Sequence, residues 1–218
     1  KKDFSTLMDD LIFKKMNLNC SYKQPINKNT LLNYAKGYNN GGKIKGDYRI
    51  HPELAAAGLW TNSHDLSMIG LEMCLALKNK SNIFFKKIIE EMLSPQIYSD
   101  NKKNSGYGIG IGIMDNLFSH SGMNEGYITT FIFDKNGSGI VIMINNSTDN
   151  GRKCMKEIYN ILNNEVGLVN TNKKKSIINL EKYTGKYYDD TNNTKCVIKL
   201  KSGMLIMTLN NYDYSLYN

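Results

Sequence analysis

One stretch gathers side chains able to do chemistry. Ser119-His120-Ser121-Gly122-Met123-Asn124-Glu125-Gly126-Tyr127 sets one of the chain's three histidines beside a serine and two glycines, between two hydrophobic runs. An imidazole exchanges a proton near neutral pH, and a hydroxyl both donates and accepts hydrogen bonds. A glycine leaves the backbone bare for close approach. The trio suits one wall of a hydrolase site, and equally an ordinary hairpin with an incidental surface histidine. The other two histidines are bland, His51 lying just before Pro52 and His64 close to an expected helix start. Cys20, Cys74, Cys154 and Cys196 stand far apart, with no Cys-x-x-Cys pair and no metal-ligand spacing. Cys74 and Cys154 fall on apolar faces of expected helices, as buried free thiols do. Neither a metal nor an organic cofactor is implied.

Composition frames the site. The chain has 218 residues, 41% hydrophobic and 22% charged, enough for one large domain or one with a small appendage. No run of 18 or more apolar residues occurs, so no transmembrane segment is expected, and KKDFSTLMDD lacks the apolar core of a signal peptide. The chain opens on Lys1 and stops at Tyr217-Asn218 just after an alternating segment, so both ends read as cut. The net charge of +8 comes from scattered pairs such as Lys14-Lys15, Lys86-Lys87 and Lys102-Lys103, and from Lys173-Lys174-Lys175. These are solvated helix faces and loops, and no recognised motif accompanies them, so nucleic acid is not an expected partner.

The elements that must position the site follow from periodicity. Phe4, Leu7, Met8, Leu11 and Ile12 recur at helical spacing and predict a helix over residues 3–15. Tyr38-Asn39-Asn40-Gly41-Gly42 signals a tight turn in a long polar connection. His51 to Trp60 is small and apolar, with Trp60 as core packing. Asn62 with Asp65 starts a helix that Leu66, Ile69, Gly70, Met73 and Leu77 carry to about residue 78, and a second helix over Ile83–Leu93 ends at Ser94-Pro95. The period then changes from 3.6 to 2. Gly106 to Ile113 alternates glycine with larger residues, as a strand approached closely by another backbone or a ligand does. Further strands are expected at Leu117–His120, Tyr127–Asp134 and Gly139–Asn145, with Lys135-Asn136-Gly137-Ser138 as a hairpin turn. A helix over Arg152–Val166 would cover one face of this antiparallel sheet.

This order of elements resembles the later part of the serine β-lactamase-like hydrolases, the family of class C β-lactamases, D-alanyl-D-alanine carboxypeptidases and related esterases. PELAAAGLWTNSHDL is similar to the family segment leading into a helix that begins Asp-Leu. LMDDLIFKKMNL is similar to the helix that ordinarily ends Phe-x-Pro-Leu-Gly-Met, here with Lys14-Lys15 in place of Pro-Leu. YGIGIGI, HSGMNEGY and GIVIMINNS resemble the closing strands, and the likeness covers about residues 1–165. It implies an α+β (α/β) sandwich of an antiparallel sheet flanked by helices. It also implies acyl transfer from peptide, lactam or ester through a Ser-x-x-Lys nucleophile and a Tyr-x-Asn motif, with Lys-Thr-Gly or His-Thr/Ser-Gly as the opposite wall. On that implication His120 offers a hydrogen bond or charge, Ser121 binds a substrate carboxylate, and Gly122 leaves room for the substrate backbone. The N–H of Met123 is one oxyanion donor.

The nucleophile itself is expected upstream of these residues. Ser99-Asp100-Asn101-Lys102 and Tyr38-Asn39-Asn40 match the two motifs formally, but the first lies in a polar loop after Ser94-Pro95 and the second at a glycine turn. The chain alone is therefore expected to be inactive. Residues 1–168 read as the C-terminal part of a catalytic domain and 169–179 as a linker. Residues 180–218 read as the start of a lipocalin-like β module, in which Tyr183-Thr184-Gly185 belongs to a turn. An incomplete barrel should fray or pair with the main sheet. The implied partner is a small-molecule or peptide substrate (a D-amino-acid peptide, lactam or ester) at an exported or cell-surface location, with oligomeric state open. Two alternatives stand: a degenerate member that holds cell-wall peptide or a protein partner without catalysis, and a plain α+β interaction domain.

Overall fold

A computed structural model describes residues 2–26, 33–99, 105–169, 180–189, 194–201, 204–209 and 212–216. The chain is a mixed α+β structure whose contacts divide it into two units, Lys1–Val169 and Asn170–Asn218.

The first unit opens on α1 (Phe4–Met8), capped by Asp3, whose carboxylate accepts from the Thr6 N–H at 2.9 Å. It continues as one wider π turn, Asp9–Phe13. Phe4, Met8, Ile12 and Phe13 pack with Tyr22, whereas Leu7 and Leu11 remain exposed, against the single apolar face expected. Leu7 and Leu11, four residues apart, face away from the line of Phe4, Met8 and Ile12, which Phe13 joins at the end of the wide turn. The glycine turn forms a small hairpin, β1 (Tyr38–Asn39) with β2 (Gly42–Lys43). A single-turn helix, α2 (Leu54–Ala57), leads to α3 (Ser63–Leu77), which matches expectation closely. Asn62 accepts from the Asp65 N–H, and the buried Asp65 carboxylate takes the Asn62 amide and the Asn19 N–H at 2.8 Å. Asn62 thus caps α3, and the Asp65 carboxylate steadies that cap and ties the helix to the loop after the π turn. α4 (Lys86–Met92) begins three residues later than Ile83, because Ser81 Oγ accepts the N–H groups of Ile83 and Phe84 and holds them in a turn.

Six strands follow as an antiparallel meander in chain order: β3 (Ile97–Tyr98), β4 (Ser105–Tyr107), β5 (Gly112–Met114), β6 (Leu117–Asn124), β7 (Tyr127–Asp134) and β8 (Gly139–Ile144). Two expectations need correction. Gly106 to Ile113 is not one strand. Gly110 adopts φ +69°, the Gly108 N–H donates to the Ile111 carbonyl, and the Ile109 N–H turns aside to Met92, so the run folds back as β4 and β5. The close backbone approach is real at Gly106, where an added Cβ would sit 1.9 Å from the Ile97 carbonyl. Second, β6 does not stop at His120 but carries Ser121–Asn124 in register with Thr130–Tyr127, the reversal falling on Glu125-Gly126.

The larger core cluster lies on one face of this sheet. Phe118, fully buried, stacks on Phe133 and meets Phe131 at a tilt, each at 6.0 Å, while Phe131 and Phe133 lie 5.0 Å apart, and Met73, Cys74 and Ala76 of α3 cover them. α3 comes so near that a Cβ on Gly70 would lie 2.6 Å from the Phe133 ring. The other face receives α5 (Asp149–Val166), begun by Thr148 and ended by Gly167 in the left-handed conformation. Only Gly151, Met155, Tyr159 and Asn163, one residue per turn, are covered there, so Cys154 is exposed rather than buried as expected.

The second unit is an open antiparallel meander of β9 (Gly185–Asp189), β10 (Thr194–Lys201), β11 (Met204–Leu209) and β12 (Tyr212–Leu216). Leu180–Tyr183 is a 3-10 turn. The four strands pair with one another, and no closed barrel forms among the described residues. The expected linker, residues 169–179, lies almost wholly outside the described residues.

Candidate functional site

Alternation along β6 decides which way each site residue faces. Phe118 points into the core beneath α3, so His120 and Gly122 lie on that same face, beyond the covered part. Ser119, Ser121 and Met123 lie on the opposite face. His120, Ser121, Gly122 and Met123 are all exposed. A Cβ built on Gly122 would meet only Thr129, at 3.9 Å, so open space lies over this residue.

The backbone of β6 is as informative as its side chains. Asp134 donates to the Ser138 carbonyl, so in β7 the even-numbered residues bond β8 and the odd-numbered ones bond β6. His120, Gly122 and Asn124 therefore exchange bonds with Phe131, Thr129 and Tyr127. The N–H and C=O of Ser121 and Met123 point the other way, toward β5. Pairing with β5 ends at Gly112 opposite Ser119, so from Ser121 to Met123 the outer edge of β6 faces no described strand. Beside it a hollow of about 260 Å³ is lined by Tyr107, Gly112, Ser119, His120, Ser121, Thr130 and Ile132. Tyr107, Ser119, Ser121 and Thr130 bring hydroxyls to this lining, and among the described residues it holds no lysine, arginine or carboxylate.

The turn that ends β6 is anchored from three sides. Asn124 donates to the Ala57 carbonyl at 3.1 Å, which gives the Ala-Gly-rich segment its role. The Glu125 carboxylate accepts from Arg49 Nε at 2.5 Å and from the Asn39 amide at 2.6 Å. Arg49, and then Asn39, hold that carboxyl below its usual range against partial desolvation. The Gly126 N–H donates to Ser147 Oγ, and Gly126 sits at φ +87° where an added Cβ would strike Ile44 at 2.4 Å. The single Tyr127 O–H proton is shared between the carbonyls of Ala35, at 2.8 Å, and Asp47, at 3.1 Å, and its ring meets Trp60 edge-on at 5.7 Å. Burial first, then the neighbouring Tyr34 and Asp47, push its hydroxyl up to about 12. Trp60 is thus half-buried in a cluster of tyrosines, Tyr34, Tyr48 and Tyr127.

Sequence reasoning missed several neighbours. Ser119 and Thr130 join the hollow only through strand register, and Tyr107 only through the β4–β5 reversal. Arg152, in the first turn of α5, reaches Met123 Sδ at 3.1 Å while Asp149 accepts its other arm at 2.8 Å. It brings a cation to the face that carries Ser121. The set-aside matches stay apart from the groove's chemistry. The Ser99 hydroxyl donates to the Ser105 carbonyl at 3.1 Å, and Lys102 lies outside the described residues. Asn39 holds Glu125 and the Gly41 N–H, and Tyr38 is a strand residue. His64 and His51 lie beside Asp65 and Glu53. Among the described residues no three His, Cys, Asp or Glu gather to hold a metal, and no helix is long and apolar enough to cross a membrane.

No family model matches the sequence, and no curated protein matches it. The fold, in contrast, is that of penicillin-binding-protein and β-lactamase-like proteins. The octameric penicillin-binding protein homologue from Pyrococcus abyssi superposes over 98% of this chain and 50% of its own, with TM-score 0.54 and 16% identity. SurE does so over 99% and 54%, with TM-score 0.56 and 18% identity. A D-stereospecific amidohydrolase from Streptomyces sp. matches over 67% and 45%, at 0.51 and 16%. The chain spans about half the length of the solved structures it matches.

Proposed function

We propose that this chain supplies the substrate-binding wall of a serine hydrolase that cleaves peptide, lactam or ester bonds through an acyl-enzyme. The observation that supports this most is the unpaired edge of β6 at Ser121–Met123, set beside a bare Gly122 and a hydroxyl-lined hollow. An extended substrate backbone lies along such an edge as an added strand. The Met123 N–H then donates to the carbonyl oxygen as negative charge develops there. His120 donates a hydrogen bond or charge to the reacting group, Ser121 holds a substrate carboxylate, and Gly122 keeps the approach clear. Arg152 adds positive charge on the Ser121 side. The attacking hydroxyl comes from polypeptide outside these residues. In a comparable serine hydrolase, loss of the nucleophile costs about a millionfold in turnover, so the chain alone binds but does not turn over.

The test separates binding from catalysis. Titration of the purified chain with a D-alanyl-D-alanine peptide, followed by NMR, is expected to shift the amides of Ser121 and Met123 saturably, while nitrocefin and D-alanyl esters stay intact. Absence of any shift at β6 sinks the groove assignment. Hydrolysis scaling with protein concentration sinks the claim that the nucleophile lies elsewhere. A native longer protein with no Ser-x-x-Lys helix would leave a binding protein in place of an enzyme.

A further inference from the structure

Register in the second unit sorts its side chains onto two unlike faces. Along β10, Cys196, Ile198 and Leu200 fall on one face, where Leu209, Met207 and Leu205 of β11 stand opposite them. That face is apolar. On the other, β10 places Lys195, Val197, Lys199 and Lys201, and β9 sets Tyr188 opposite Lys195 and Lys186 opposite Val197. All four of these lysines are exposed, and among the described residues none of them makes an ion pair. The one carboxylate that register puts with them among the described residues is Asp213, on the strand farthest from Lys186, where it accepts from the Thr208 hydroxyl at 2.7 Å. A solvated face ordinarily mixes both signs. Here, at about 3.3 Å per residue, Lys199 and Lys201 lie about 7 Å apart, inside the screening length of about 8 Å in physiological salt, so they repel unless anions gather over them. Between the lysines Val197, Ile206 and Thr208 are short and half-buried, which leaves the face broad and shallow. The Lys195 ammonium lies 5.5 Å from the centre of the Tyr188 ring, which is 51% exposed. An apolar ring with a polar tip, flanked by lysine stems, suits the boundary between water and lipid headgroups.

We propose that the lysine face of this four-stranded sheet docks on an anionic lipid bilayer. A plane of headgroup charges meets Lys186, Lys195, Lys199 and Lys201 together, whereas a polyanionic strand is held in a groove, which a shallow face does not offer. The net charge of +8 draws the whole chain toward such a surface. Each lysine brought to an anionic surface strengthens partitioning about fivefold. The inference is independent of the chemistry assigned to β6.

The purified chain is sedimented with vesicles of phosphatidylcholine alone and of phosphatidylcholine with about one third phosphatidylglycerol. Retention is expected on the anionic vesicles only, with release at about 1 M salt, where the screening length falls to about 3 Å. Acetylation by a succinimide ester, mapped by mass spectrometry, should be slowed by anionic vesicles at Lys186, Lys195, Lys199 and Lys201 and unchanged at Lys80 and Lys87. This map needs no variant, so it decides the matter even if a substitution unfolds the second unit. Lys195→Glu with Lys199→Glu should weaken partitioning about twentyfold or more, whereas Lys80→Glu with Lys87→Glu, the same change of net charge placed in the first unit, should leave it within about twofold. Equal weakening by both pairs would make net charge the cause and overturn the proposal. No retention on either vesicle overturns it too, as does equal retention on neutral vesicles, which would assign binding to the apolar face. Retention by soluble polyphosphate with none on vesicles would make the partner a polymer instead.

Discussion

His120, Ser121 and Gly122 are consecutive, yet the strand sends the imidazole to one face and the hydroxyl to the other. What they share is the edge between the faces, which is why glycine at the third position matters. Gly122→Val would fill the open space with a branched side chain. It is expected to abolish the peptide-induced NMR shifts at Ser121 and Met123 while leaving the thermal midpoint within a few degrees, since Gly122 touches little. Retained binding would mean that substrate does not pass over this residue. Arg152→Ala should weaken a carboxylate-ended peptide several-fold and leave its amide-ended counterpart unchanged. The thiols offer a simpler residue-scale check. Cys74 donates to the Asp134 carbonyl at 3.3 Å and burial pushes its thiol up to about 11, whereas Cys154 is exposed. A disulfide reagent should label Cys154 in the folded protein and reach Cys74 only on unfolding.

Among the elements, α3 is positioned by its first turn. Asn62→Ala removes the side chain that accepts the Asp65 N–H, an exchange that costs about 1 kcal/mol at a helix start, read from a urea midpoint. Asp65 adds a pH dependence of known sign. Burial works against its ionisation, but His64, the Asn19 N–H and Asn62 together outweigh burial and hold the carboxyl below its usual value. A carboxyl lowered in the folded state stabilises it above the unfolded pKa of about 4 and loses that contribution as pH falls through the folded value. The urea midpoint should therefore drop between about pH 5 and pH 3 more steeply in the wild type than in Asp65→Asn. Equal slopes would show that Asp65 carries none of the acid sensitivity. The β6–β7 turn is held by Glu125 in the same manner, though its pair with Arg49 is exposed and contributes more to placement than to stability.

At the scale of the molecule, the six-stranded sheet is covered on both faces, by α3 over Phe118, Phe131 and Phe133 and on the α5 side over Ile128, Ile140 and Ile142. Phe118, at 0% exposure, is the centre of that core. Phe118→Ala is expected to cost about 3–5 kcal/mol and to collapse amide protection across α3, β6 and β7 together. Loss confined to β6 would mean that the sheet and α3 do not unfold as one unit. Among the described residues the β6 edge from Ser121 to Met123 stays open, in a chain about half as long as the solved structures that share its fold.

Local patterns in the sequence were sufficient for the elements. The capped start of α3, the period-2 runs of β7 and β8 and the amphipathic α5 depend on neighbours a few residues apart, and each lies within a few residues of its expected place. The motif His120-Ser121-Gly122 was legible for the same reason. Tertiary structure alone decided that Gly106 to Ile113 folds back on itself, because Ile109 finds its partner in Met92 of α4. It alone extended β6 through the motif, since the strand is defined by pairing with Thr130 to Tyr127. It also brought Thr130, Tyr107 and Arg152 to the site, and left Leu11 and Cys154 outside the core. Each of those outcomes rests on a contact between residues distant in the chain, and composition and periodicity carry no record of such contacts.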